Sequence, residues 1–208
     1  MKTAIIVDGE AEYHSLPLVL RRCSHQELRP FQLLLCKMDP KSSPQRIART
    51  IAKKQDTVIR VKGFRHIIVL VDREDLPMKA SERARQLKNA LTGQLDVVSI
   101  DVVVKDKMYE NWLIADDTAL RKLPVRFARI DSIAGELSKP NVDVIDNASD
   151  LLKRAVEPNR SYRKIDDAKM ICKIVDPLRA AKHSRSLRRL LRVLGVPQYI
   201  NQSCRPHG

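Results

Sequence analysis

The sequence predicts an α/β fold: a parallel or mixed sheet covered by helices on both faces, built from about residues 1–120. Short β-branched runs alternate with stretches whose apolar residues recur at helical period. The runs are nearly continuous in apolar residues, as strands buried on both faces must be. Six glycines in 208 residues are too few for the many tight turns of an all-β chain. From residue 121 to 208 a basic, mainly helical extension is expected to pack on this core.

The elements follow in order. Residues 3–7 (Thr-Ala-Ile-Ile-Val) read as a strand, and Gly9 permits a tight turn after it. A helix is expected from about residue 15 to 23, with Pro17 tolerable only in its first turn. Phe31-Gln32-Leu33-Leu34-Leu35-Cys36 is the second strand. Ser43-Pro44 reads as an N-cap followed by proline at the first helical position. Ile47, Ala48, Ile51 and Ala52 give that helix an apolar stripe to about residue 55. Residues 66–71 (His-Ile-Ile-Val-Leu-Val) carry the strongest strand signal. Ala80, Ala84, Leu87 and Leu91 place a helix over about 78–91, with Gly93 just past its end. Residues 97–104 form a further strand, interrupted by Asp101, and 109–120 return to helical character.

Beyond residue 120 the texture changes. Residues 121–129 are basic and contain a proline, residues 138–150 are polar and loop-like, and helices are expected at about 165–175 and 186–194. In the last of these Leu187, Leu190, Leu191 and Leu194 are spaced i, i+3, i+4, i+7, while Arg185, Arg188, Arg189 and Arg192 occupy the other faces. Gly195 suits the position after the helix.

A hydrophobic content of 43% is ordinary, but only 4% is aromatic, so Leu, Ile, Val and Ala must build the core. No run approaches the roughly 18–20 apolar residues of a membrane span, and the first residues lead straight into a strand with no export-signal pattern. A soluble cytoplasmic protein is expected. Cys23, Cys36, Cys172 and Cys204 are scattered without metal-ligand spacing and read as reduced structural thiols. A zinc site at Cys204 and His207 is the one exception the spacing leaves open. Thirty-nine Lys and Arg against twenty-five Asp and Glu leave a net charge of +14. Such an excess attracts polyanions, and an acidic protein partner would satisfy it as well.

Against that background two acidic clusters stand out, each at the end of an apolar strand. Asp8 and Glu12 follow the first; Asp72, Glu74 and Asp75 follow the third. In open α/β sheets ligands bind at the carboxyl ends of the strands. Carboxylates held close together repel unless a cation lies between them, and Mg²⁺ or Mn²⁺ is the natural occupant. Asp72 and Glu74 can share one site if the backbone between them stays extended. The competing reading is structural, since Asp after a strand is also a common turn and N-cap residue. Tyr109-Glu110-Asn111-Trp112-Leu113-Ile114-Ala115-Asp116 is the third segment of interest. The single tryptophan reads as a core anchor, with Glu110 and Asn111 facing away from it and Asp116 and Asp117 exposed or capping.

Taken together these residues resemble a known family. Val7-Asp8-Gly9-Glu10-Ala11-Glu12 is similar to the Val-Glu-Gly-x-x-Glu opening of TOPRIM domains of the overcoming-lysogenization-defect nucleases. Val71-Asp72-Arg73-Glu74 resembles their Asp-x-Asp motif. The run from Glu110 through Trp112 to Asp116 resembles the Glu-x-Trp-x-x-x-Asp segment of a TOPRIM-like family, domain of unknown function 4276. Tyr162-Arg163-Lys164 and Ser184-Arg185-Ser186-Leu187-Arg188-Arg189-Leu190 are similar to that family's closing basic stretch and helix, with Leu187 where an aromatic is usual. The resemblance runs from Val7 to about Leu194. Two acids differ by a methylene from the motif: Asp8 stands where Glu is usual and Glu74 where Asp is usual.

The resemblance implies a TOPRIM-like (Rossmann-like), mostly parallel sheet. It implies a Mg²⁺- or Mn²⁺-dependent nuclease acting on DNA or RNA, plausible as an anti-phage effector working with a separate ATPase of the ATP-binding-cassette type or as a homo-oligomer. It implies metal ligation by Asp8, Glu12, Asp72 and Glu74, and catalytic roles for Glu12, Asp72, Glu110 and Lys105, the lysine neutralising phosphate charge. Arg121, Lys122, Arg126 and Arg129, with Arg185, Arg188, Arg189 and Arg192, would hold a nucleic-acid backbone. The alternative is a catalytically degenerate, nucleic-acid-binding or regulatory subunit of a larger complex.

Overall fold

The computed structural model describes residues 1–23 and 28–200; Cys204 and His207 lie outside them. In chain order the core elements are β1 (Thr3–Val7), α1 (Glu10–Arg21), β2 (Phe31–Leu35), α2 (Pro44–Val61), β3 (His66–Asp72), α3 (Ala80–Thr92) and β4 (Ser99–Lys105). The four strands form one sheet in the order β2-β1-β3-β4, and every pair is parallel. The α/β reading therefore holds, and the sheet is the fully parallel version of it.

The two central strands, β1 and β3, are almost wholly apolar because they are buried on both faces, while the edge strands β2 and β4 admit exposed Gln32 and half-buried Ser99 and Asp101. Ile5, Val7, Ile68, Leu70 and Val103 point to one side, into a core completed by α1 and the C-terminal helices. Ala4, Ile6, Ile67, Val69, Val71, Val102 and Val104 point to the other, against α2 and α3. A fully buried Ile, Leu or Val contributes about 1.5–3 kcal/mol, so this double burial specifies the register. A one-residue slip would exchange the two sides.

The remaining helices are α4 (Glu110–Ile114), α5 (Asp117–Arg121), α6 (Ala134–Leu137), α7 (Ala148–Ala155), α8 (Lys164–Cys172), α9 (Pro177–His183), α10 (Arg185–Val193) and α11 (Pro197–Ile200). Phe127, Leu151, Leu152, Ile171, Leu187 and Leu190 belong to the same continuous core as Ile5, Leu16 and Leu70. The extension thus completes one face of the sheet. Arg126 ties it together from inside: its guanidinium donates to both oxygens of Asp167 at 2.7 and 2.6 Å and to Ser161 O at 2.6 Å.

Several boundaries differ from those expected. α1 begins at Glu10, five residues before the expected start, so Pro17 lies in the helix interior. There it removes the N–H that would bond to the carbonyl four residues back. α2 runs on to Val61 because Gln55 is not an end signal; its buried amide donates to Leu35 O at 2.8 Å. Residues 109–120 break into two helices at Asp116, whose Oδ1 caps α5 at Ala119 N, 3.3 Å away. Asp116 is buried, not exposed, and its carboxylate takes a two-pronged bond from Arg179 at 2.6 and 2.8 Å. The stretch 138–150 is partly helical, since it leads into α7. Ser43 does cap α2, accepting from Arg46 N at 3.3 Å, and Gly195 has the left-handed φ of 90° expected after α10. Cys23, Cys36 and Cys172 are buried free thiols.

Candidate functional site at the carboxyl edge of the sheet

The strand order places a switch point between β1 and β3. α1 leaves β1 towards one face of the sheet, while α2 and α3 lie on the other. Their carboxyl ends therefore open a crevice, the usual position for a ligand in such sheets. Asp8 follows β1, and Asp72 ends β3. Lys105, the last residue of β4, stands opposite Asp72 in the strand register. Residues paired across parallel strands share a face, so the ladder itself points Lys105 and Asp72 to the same side.

That side is the one α1 covers, and α1 brings in Glu12. Gly9 makes this geometry accessible: its N–H donates to Glu12 Oε2 at 3.2 Å, curling the side chain back over the helix start. A Cβ on residue 9 would lie 3.1 Å from that oxygen. Glu12 is 3% exposed and in contact with the Lys105 ammonium. Lys105 is 1% exposed and also lies 2.8 Å from Asp72 Oδ1. Its Nζ sits 5.6 Å from the centroid of the Tyr109 ring, within cation–π range. Tyr109 is held in turn by its hydroxyl, 2.8 Å from Ser15 Oγ on α1.

Glu110, the first residue of α4, comes from the far side. It is 1% exposed, and neither carboxylate oxygen has a hydrogen-bond partner. Lys164 Nζ approaches Oε1 to 3.2 Å, a charge contact without hydrogen-bonding geometry. Asp72 Oδ1 is likewise buried and ion-paired without a hydrogen bond. Such atoms are expensive to bury.

The titration behaviour follows. Burial, then the neighbouring charges of Asp8 and Glu110, push the Asp72 carboxyl well above the usual carboxylate range. Burial pulls the Lys105 ammonium down to about 8, although Asp8 and Glu110 oppose that shift. Asp8, the first residue past β1 at the same end of the sheet, is among the charges that act on both residues.

Glu12, Asp72 and Lys105 thus converge, with Asp8 and Glu110 close by. Glu74 does not join them. Its backbone turns at φ 50°, not extended, and its carboxylate pairs with Lys41 at 3.0 Å. Asp75 is exposed. Lys105 is fully buried. All five residues of α4 are buried, Glu110 and Asn111 included. Trp112 is a core anchor whose Nε1 donates to Ser186 Oγ at 2.7 Å. Asn111 donates to Val142 O and Ile145 O at 2.7 and 2.8 Å, pinning the loop behind the site.

The expected nucleic-acid surface divides. Arg126 is withdrawn from it, because the buried clamp on Asp167 uses its guanidinium. Arg121 is exposed and paired with Asp131 at 2.6 Å, while Lys122 and Arg129 are exposed nearby. Arg185, Arg188, Arg189 and Arg192 instead line a groove at the free edge of β4. Lys164, named in the sequence only as part of the closing basic stretch and given no role at the site, is an exposed lysine from α8 that pairs with Glu110 of the acid cluster. Its signal was faint: one more cation in a basic chain.

Over residues 7–195 the chain matches the family described as a domain of unknown function, DUF4276. The chain belongs to that family. The match runs from the last residue of β1 to the end of α10, so it embraces every residue of the acid cluster. No curated protein and no solved structure matches it. Among the described residues, no helix is long and apolar enough to cross a membrane.

A divalent cation can be tested against this donor set. Hard carboxylate oxygens at a rigid sheet edge are the ligands Mg²⁺ and Mn²⁺ take, and the buried oxygens of Asp72 and Glu110 lack hydrogen-bond partners. Asp8, Glu12, Asp72 and Glu110 therefore fit such an ion in chemistry. Among the described residues no three acidic, imidazole or thiol side chains are already spaced to hold one. The reason is visible: the Lys105 ammonium occupies the position between Glu12 and Asp72.

Proposed function

We propose that the acid cluster is the TOPRIM-like active site of a divalent-metal-dependent nuclease that hydrolyses phosphodiester bonds of DNA or RNA. The observation that carries the reading is the convergence of Glu12, Asp72 and Lys105 at the β1/β3 switch point, with Asp8 and Glu110 beside them. The buried oxygens of Asp72 and Glu110 that lack hydrogen-bond partners are hard donors suited to such an ion, and a chain of net charge +14 favours a polyanionic substrate.

Asp8, Glu12 and Asp72 would hold the ion, with Glu110 completing the set. Bound there, a divalent ion supplies Lewis-acid activation of a phosphoryl oxygen and of the attacking water. Lys105, released from its carboxylates, would neutralise charge on the non-bridging phosphate oxygens. Alternatively Glu110, whose oxygens accept no hydrogen bond among the described residues, would orient the water. Lys164 at the mouth and the exposed Arg121, Lys122 and Arg129 would hold the backbone without reading sequence.

The test is cleavage of labelled DNA and RNA in Mg²⁺ or Mn²⁺. Glu12→Gln and Asp72→Asn should each abolish cleavage while the fold persists by circular dichroism. Glu74→Gln, whose carboxylate is turned to Lys41, should cut at close to the parental rate. Full activity in both site variants would end the proposal.

The Lys105 bridge supports a second reading, a degenerate nucleic-acid-binding or regulatory subunit in which an internal ammonium has replaced the metal for good. A ligand that binds only the native state raises the melting temperature. A Mg²⁺ or Mn²⁺ titration that leaves it unmoved favours this second reading. An ATPase partner and a defence role rest on the family resemblance. Co-purification from the native host tests the first of these.

A further inference from the structure

We infer that the free edge of β4 is a docking site for an extended acidic segment of a partner protein, which adds to the sheet as a fifth strand. Among the described residues β4 is an edge strand, hydrogen-bonded to β3 alone. Such edges are templates for strand addition unless something covers them. Here α3 rises on one side of the edge and α10 on the other, leaving a groove of about 440 Å³ between them.

The groove has an apolar floor and cationic walls. Ala80, Ala84, Val102 and Val104 make the floor; the two alanines leave space where larger side chains of α3 would have closed it. Arg85 and Lys88 line one wall from α3, and Arg185, Arg188, Arg189 and Arg192 line the other from α10. The α10 arginines stand at i, i+3, i+4 and i+7, so a single helix face presents all four. Among the described residues the groove is lined by two carboxylates, Asp101 and Asp106, against the cations of Arg85, Lys88, Arg185 and Arg189, so its walls are basic.

Asp101 braces the two walls. One oxygen lies 3.9 Å from Lys88 of α3 and 3.8 Å from Arg189 of α10, and the other pairs with His66 at 3.1 Å. Asp106 pairs with Arg185 at 3.1 Å. An incoming chain that alternates acidic and aliphatic residues matches this site on all counts. Its backbone would meet the β4 edge, its aliphatic side chains the floor, and its carboxylates the two basic walls. A single-stranded nucleic acid matches less well. Its bases need exposed aromatic faces to stack on, and Tyr199, the one aromatic residue lining the groove among the described residues, is 4% exposed. Docking there is independent of the carboxylates at the strand ends.

The experiment uses the full chain and a fluorescein-labelled peptide of about eight residues alternating Glu and Val, the period of a strand, read by anisotropy. Binding is expected at low salt and should weaken as salt rises. Arg85→Glu and Arg189→Glu, one exposed side chain from each wall, should each weaken it about tenfold or more. Asp101→Asn should tighten it several-fold, because it removes the acid that neutralises both walls. Amide exchange over residues 99–105 should slow in the complex. Failure of the peptide to bind would overturn the proposal. So would equal binding by a peptide of the same charge with proline at alternate positions, which cannot add to a sheet. Preferential binding of a single-stranded oligonucleotide, lost in Arg189→Glu, would assign the groove to nucleic acid and overturn it too.

Discussion

Replacing Lys105 by methionine isolates the physical question at the acid cluster. The change keeps most of the side-chain volume and deletes the charge that joins Glu12 to Asp72. At the 2.8 Å separation from Asp72, and with an effective dielectric constant of about 20, the gross attraction is about 6 kcal/mol. The net loss is smaller, because Asp72, whose pKa burial already raises, can take up a proton once the ammonium is gone. Breaking one side of a buried ion pair costs about 3–5 kcal/mol, and the lower end applies where the stranded acid can neutralise itself. For 208 residues, about 3 kcal/mol corresponds to a fall in melting temperature of about 6–12 °C. Differential scanning calorimetry in EDTA measures it. If the carboxylates form a metal site, Mg²⁺ should then restore most of the loss in Lys105→Met and shift the parent less, since the parent's own ammonium competes for the position. A fall below about 1 kcal/mol would refute the buried-bridge argument. A full fall that Mg²⁺ leaves untouched would refute the metal assignment while sparing the bridge.

Other consequences follow from the same contacts. Gly9→Ala should destabilise the helix start by about 1 kcal/mol and weaken any Mg²⁺-dependent rise in melting temperature, because its Cβ crowds Glu12 Oε2 at 3.1 Å. Arg126→Met should cost about 3–5 kcal/mol in urea unfolding by stranding buried Asp167; loss of nucleic-acid affinity in a folded Arg126→Met protein would contradict the clamp. Trp112→Phe should cost about 1–3 kcal/mol, since it leaves Ser186 Oγ without its indole donor in the core. Burial raises the Cys23 and Cys172 thiols to about 11. Iodoacetamide at pH 8 should therefore leave both unmodified in the native protein and label them in urea, as read by peptide mass mapping.

The local signals that survive translation into structure are those decided within a few residues. Apolar runs such as Ile67–Leu70 can only be strands buried on both faces, and Ser43-Pro44 satisfies the helix start it precedes. The acids at the ends of the first and third apolar runs were equally legible, and the pairing of β1 with β3 and of β3 with β4 brought Glu12 and Asp72 onto one lysine with Asp8 at the same edge. Short helices such as α7 and α9 were lost in polar stretches, because their stability comes from packing and not from their own sequence.

What the sequence by itself determined is therefore the sheet, its covering and the chemical character of the site, since these follow from period, burial and charge. Only the tertiary structure decided which groups meet. A single left-handed residue swings Glu74 away to Lys41. Strand register, a property of two chain segments at once, delivers Lys105 to Asp72 and Glu12. Arg126 and Arg189 look alike as basic residues, yet one is locked on a buried carboxylate and the other lines an open groove. Charge is written in the sequence, but the burial and partners that set its energy exist only once the chain has folded.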